Sequence, residues 1–168
     1  GRMRAKHERN LMLMERHIAE HGLQPGDCRY LADTYYGLGK YAAALIYARA
    51  ALEEPVTSVG AQSHLHHLLL DAMEQENVPL AQQMEAARAA CHEFPQLPDF
   101  YGRLGLLLAA CGDDAALPTL TRALELYESP VDKGGEASAF PAWAGAVSAA
   151  RARLLMEMGG GPAAEEEL

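Results

Sequence analysis

Valine and isoleucine are scarce in this chain, and alanine fills much of the space they leave. Alanine favours helices and β-branched side chains favour strands, so the sequence argues for an all-α protein before any motif is sought. Basic residues are also short: 14 Lys and Arg stand against 23 Asp and Glu, a net charge of −9. A nucleic-acid surface needs clustered Lys and Arg, and an anionic membrane attracts the same groups, so neither partner is expected. No apolar run approaches the ~20 residues that span a bilayer, and no stretch carries the pattern of a secretory leader. Cysteine is sparse and odd in number. Cys28, Cys91 and Cys111 lie far apart with no CxxC pair to suggest zinc or redox work. Each sits in an apolar stretch and is read as a buried thiol in a reducing compartment, the cytoplasm.

What is present is a repeat. Hydrophobic residues make up 49% of 168, enough for a core in one domain. Three segments share a plan of helix, tight turn, helix and break: Cys28 to Pro55, His64 to Pro95, and Tyr101 to Leu126. Their turns centre on Gly39, Asn77 and Gly112, residue types that enter the left-handed region readily. In each first helix, packing residues recur at i, i+3, i+4, i+7. They are Cys28, Leu31, Ala32, Tyr35; His66, Leu69, Leu70, Met73; and Tyr101, Leu104, Gly105, Leu108. Second helices carry Ala44, Ala48, Ala51 and again Ala116, Leu120, Ala123. In the middle segment Gln83 stands where a small residue is expected, and Pro118 falls early in the last second helix, where its missing N–H costs little.

This plan resembles the tetratricopeptide (TPR) repeat, whose units run to ~34 residues. The resemblance implies a right-handed α-solenoid of antiparallel helix pairs, about three units plus flanking helices, in a single domain over 1–168. Its expected parts are an N-terminal capping helix over 4–22 and repeats over 25–57, 58–96 and 97–128. A loop over 129–139 and a partial fourth repeat over 140–168 follow. The capping helix carries Leu11, Met14 and Ile18 at helical spacing. The fourth pair is expected to open with one helix over Phe140 to Met158, with Pro162 to Leu168 beginning its partner. The chain opens Gly-Arg-Met and closes on a glycine-rich, acidic stretch, so both ends read as cut from a longer chain.

A narrower resemblance rests on KHERNLMLMERHIAEHGLQPGDCRYLADTYYGLGKYAAALIYARAAL, together with FPQLPDFYGRLGLLLAACGD and the Gly-Gly loop before the last helix. These resemble the TPR region that follows the nucleotide-sugar domain in bacterial family 2 glycosyltransferases. Arg9, Asn10, Leu11 and Glu15 match the basic helix that marks the join in that family. The resemblance implies a non-catalytic C-terminal region with the catalytic domain upstream. No DxD-type metal motif occurs, and Asp113-Asp114 reads as a turn, so no catalytic residue, metal or cofactor is carried over.

Solenoids of this kind bind on the concave face lined by first helices. Beside the packing stripe that face should hold Arg29, Asp33 and Tyr36, then His67, Asp71 and Glu74, then Gly102, Leu106 and Ala109, flanked by His64, Asp99 and Arg103. The expected partner is a protein, a peptide or an upstream domain of the same chain, with oligomerisation open. The other reading is a stand-alone scaffold or oligomerisation protein with no enzyme attached. His64, His67 and Asp71 share a face as three ligands would, but a closed structural site needs a fourth. Asp71 and Glu74 could pair as acid and base, but an open groove gives them no desolvated pocket. Tyr35 and Tyr41 are assigned to packing and Tyr36 to the groove. Gly105 is expected on the packing stripe, and Gly102 on the open face with room for a side chain.

Overall fold

A computed structural model of the chain describes residues 2–55, 61–129 and 138–159. Most of the expected loop before the last helix, and the start of a partner helix after it, lie outside the described residues. Among those described there are eight α-helices, one 3-10 turn and no strand. They are α1 (Arg2–His21), α2 (Asp27–Gly37), α3 (Tyr41–Leu52), α4 (Ala61–Gln75), α5 (Leu80–Glu93), α6 (Pro98–Ala110), α7 (Ala116–Glu128), the turn Phe140–Ala142, and α8 (Ala144–Gly159). The chain divides into two compact units, Gly1–Pro79 and Leu80–Leu168. The boundary falls between α4 and α5, the two helices read as the middle repeat.

Three turns are built alike. After α2 the amides of Gly39 and Lys40 donate to Tyr36 O and Tyr35 O, both at 2.9 Å. After α4 those of Asn77 and Val78 donate to Glu74 O and Met73 O at 3.1 and 2.9 Å. After α6 those of Gly112 and Asp113 donate to Ala109 O and Leu108 O at 3.1 and 3.0 Å. Each is the paired bond of a Schellman cap, and each needs a left-handed residue at its centre. Gly39, Asn77 and Gly112 supply it with φ of 73°, 52° and 66°. In the first cap the Lys40 ammonium also lies over the Tyr35 ring, 5.8 Å from its centroid.

In the first unit α1 packs on α2, α2 on α3, and α3 on α4, while α2 and α4 also meet along a narrower strip. The expected stripe of α2 is buried at Cys28, Leu31 and Ala32, and that of α4 at His66, Leu69, Leu70 and Met73. Alpha-3 answers with the methyl groups of Ala44, Ala48 and Ala51, all buried. Alpha-1 buries no residue completely. Leu11, Met14 and Ile18 are half-covered, and the His7 ring lies where a Cβ of residue 37 would stand. Met3, Met12 and Leu13 remain exposed.

In the second unit α5 packs on α6, α6 on α7, and α8 on both α7 and α6. The inner face of α5 is Gln83, Ala87 and Ala90, with Cys91 beside them. Gln83 is buried near the start of α5, as Ala44 is on α3 and Ala116 on α7. Pro118 falls in the first turn of α7.

Three expectations change here. The last segment is not one helix from Phe140: a 3-10 turn covers Phe140–Ala142, Trp143 breaks the path at φ −132°, and α8 begins at Ala144. The break turns both rings onto one core, with their centroids 4.9 Å apart. Phe140 joins Leu120, Ala123, Val147 and Ala150 there, and Trp143 packs against them. Gly102 consequently has no room. A Cβ on it would stand 2.6 Å from Trp143 Cζ3 and 2.7 Å from Phe140 Cε2. Gly105 is as tight as expected: a Cβ on it would stand 2.6 Å from Leu120 Cδ2. The third correction concerns sulfur: Cys28 and Cys91 are buried, but Cys111 is exposed, because it caps the C-terminus of α6.

Candidate functional site

Residues four and seven apart share a helix face, so Arg29, Asp33 and Tyr36 line one side of α2. The chain returns through α3, and α4 then brings His64, His67 and Asp71 beside them. His64 Nε2 stands 2.6 Å from Asp33 Oδ1, joining the two helices. Tyr36 Oη points to Asp71 Oδ2 at 3.5 Å, the outer limit of a hydrogen bond. Arg29 and His67 are half-buried on the same side, and Glu74 is exposed one turn further along α4.

The bond to Asp33 raises the His64 pKa above its ordinary 6.5. Partial burial and the Arg29 charge oppose the rise, while the Asp33 and Asp71 charges add to it. The tyrosines brace this face. Tyr36 meets Tyr41 edge-on at 5.4 Å, and Tyr35 stacks on Tyr47 at 5.4 Å. Tyr36 thus faces Asp71 and also packs on α3.

The remaining expected residues, Asp99, Gly102, Arg103, Leu106 and Ala109, belong to the second unit. Asp99 is 0% exposed. Its Oδ2 accepts from Ser138 Oγ at 2.5 Å and its Oδ1 from the Ala139 amide at 2.7 Å. These bonds tie the entry of the Phe140 turn to the first turn of α6. Leu106 packs against the Phe140 core, and Arg103 is half-buried. In the second unit, then, the face of α6 expected to be open is covered by the chain's own rings.

Sequence reasoning passed over Glu54. Its Oε2 accepts from the Gly26 amide at 2.7 Å, and its carboxylate accepts a hydrogen bond from the Cys28 thiol. Burial is the first cause that raises the Cys28 pKa, with that bond second. A carboxylate just past α3 that satisfies the amide before α2 leaves no periodic trace in the sequence. A shallow cleft of about 230 Å³ lies between α1 and the turn after α2, lined by Arg4, Glu8, Met12, Glu15, Leu38 and Lys40. Arg4 and Glu8 are already paired in it at 3.1 Å.

Among the described residues no three His, Cys, Asp or Glu side chains form a group able to hold a metal ion. No helix among them is long and apolar enough to cross a membrane. No protein-family model, curated protein or solved structure matches this chain.

Proposed function

We propose that this chain is a TPR-like interaction module that receives a peptide or a neighbouring domain on the α2–α4 face of its first unit. In this reading it is the non-catalytic C-terminal region of a glycosyltransferase-like bacterial protein. The observation that carries it is the meeting of α2 and α4, the first helices of two successive repeats, with Arg29, Asp33, Tyr36, His64 and Asp71 along their shared side. A solenoid groove needs first helices side by side, because a lone helix offers a ridge and two offer a trough. The three matching Schellman caps, at corresponding places in the three segments, are consistent with the repeat itself. Polar side chains on such a floor fix the register of a bound segment, while apolar contact supplies most of the affinity.

The test is a pull-down with the whole chain as bait, followed by a titration of the partner it retains. Tyr36→Ala combined with Asp71→Lys should abolish binding. Arg88→Ala, exposed on α5, should leave it intact. A partner held equally well by the double variant would end the proposal.

One observation favours a second reading, a scaffold that assembles with itself. Met12 and Leu13 on α1, and Met156 and Met158 on α8, are between 58% and 71% exposed. Sedimentation over a range of concentrations separates the readings: a mass that rises with concentration, and falls back when Met12 and Leu13 become Lys, supports assembly.

A further inference from the structure

The strip where α2 and α4 meet carries a device that does not depend on any partner. Alpha-4 is anchored to α3 by its apolar side and reaches α2 more thinly. On that thin strip His64 Nε2 stands 2.6 Å from Asp33 Oδ1. Both side chains are roughly half open to solvent, 55% and 44% exposed, so protons can exchange with bulk water without unfolding. We infer that His64 and Asp33 form a proton-operated latch between α2 and α4, shut when the imidazole is charged and slack when it is neutral.

The charged groups that act on the imidazole come from both helices. Asp33 and Arg29 face it from α2, and Asp71 from α4 itself. Alpha-3, packed on α4, carries Arg49, which is exposed, and is followed by Glu53, also exposed, and Glu54, which is engaged with Gly26. Carboxylates therefore outnumber the guanidinium around His64, and they favour the charged ring. A histidine whose folded pKa lies above its unfolded one adds stability that is complete below about 6.5 and is lost as pH climbs through the folded value. The latch is shut in mild acid and slackens toward alkaline pH. When it slackens, the Asp33 carboxylate loses its cation and the face becomes more negative. A neutral imidazole still donates one hydrogen bond, so the change is a loosening of the strip and not its rupture.

Nuclear magnetic resonance on the intact chain tests this. The His64 ring signal is identified by its loss in His64→Gln and followed across the neutral range. Its midpoint should lie above 6.5 in the parent and move down in Asp33→Asn. Amide protection in the first turns of α4, corrected for intrinsic exchange, should fall between about pH 6 and about pH 8.5 in the parent and stay level in His64→Gln. A midpoint at or below the ordinary value, a midpoint unmoved in Asp33→Asn, or equal protection changes in parent and His64→Gln would each overturn the inference. Should His64→Gln fail to fold, the His64 ring signal is identified by through-bond correlation to its own backbone amide, and the Asp33→Asn titration decides alone.

Discussion

Replacing Gly102 with alanine forces one methyl group into an occupied place. The new carbon would stand 2.6 Å from Trp143 Cζ3 and 2.7 Å from Phe140 Cε2. Carbon atoms rest at about 3.5–4.0 Å, so the rings must retreat by roughly 1 Å. Phe140 is 0% exposed and cannot retreat without parting from Leu120 and Val147. Trp143 is half-covered and can swing toward water. Overpacking of this kind costs ~1–3 kcal/mol, while removing a glycine from a helix interior returns ~1 kcal/mol. The expected net loss is therefore about 0–2 kcal/mol, at roughly 2–4 °C of melting temperature per kcal/mol for a chain of this length. Circular dichroism measures the melt. Emission from Trp143, the single tryptophan of the chain, should shift to the red as its ring is pushed outward. In a Trp143→Ala background the cost of Gly102→Ala should shrink, since one of the two clashing rings is gone. A Gly102→Ala protein that melts about 1 kcal/mol higher, the full helix-propensity gain, with unchanged emission would refute the placement of these rings on α6.

In the native protein a thiol reagent at about pH 8 should titrate Cys111 and spare the other two cysteines. Burial pushes Cys91 up to about 12, and burial with the Glu54 bond raises Cys28; more than one reactive thiol before denaturant is added would contradict this. Asp99→Ala strips the acceptor from the Ala139 amide and the Ser138 hydroxyl, and should lower stability in urea by ~1–3 kcal/mol, with Asp99→Asn costing less.

The sequence was a good guide wherever the cause was local. Gly39, Asn77 and Gly112 could be picked out because left-handed backbone is a property of the residue itself. Stripes such as Leu31–Ala32 and Ala116–Leu120–Ala123 could be picked out because helical period fixes which side chains share a face. The structure sets α4 against α2, with Asp33 beside His64. Period says nothing of what arrives on a face from far along the chain. Asp99 and Gly102 sit on the side of α6 that looked open, and residues about forty positions later close it. Asp99 reads as a surface carboxylate until the distant amide it accepts from is known. Cys111 failed for a different reason: an apolar neighbourhood in sequence does not bury the residue that ends a helix.

The inner faces of α3, α5 and α7 are made largely of single methyl groups, at Ala44, Ala48, Ala51, Ala87, Ala90, Ala116 and Ala123. A seam of that kind constrains the history of the gene as well as the fold. Single-base changes of an alanine codon yield glycine, serine, threonine, proline, valine, aspartate or glutamate. All but glycine are bulkier or bring a polar group into a dry contact, at a cost of ~1–3 kcal/mol. Glycine adds no bulk but loosens the helix by ~1 kcal/mol. Each such position is nearly a dead end for one-step drift. Descendants of this chain should therefore vary freely on outer positions such as Ala42, Ile46 and Arg49, and change the seam only in matched pairs, one side chain growing as its neighbour across the contact shrinks.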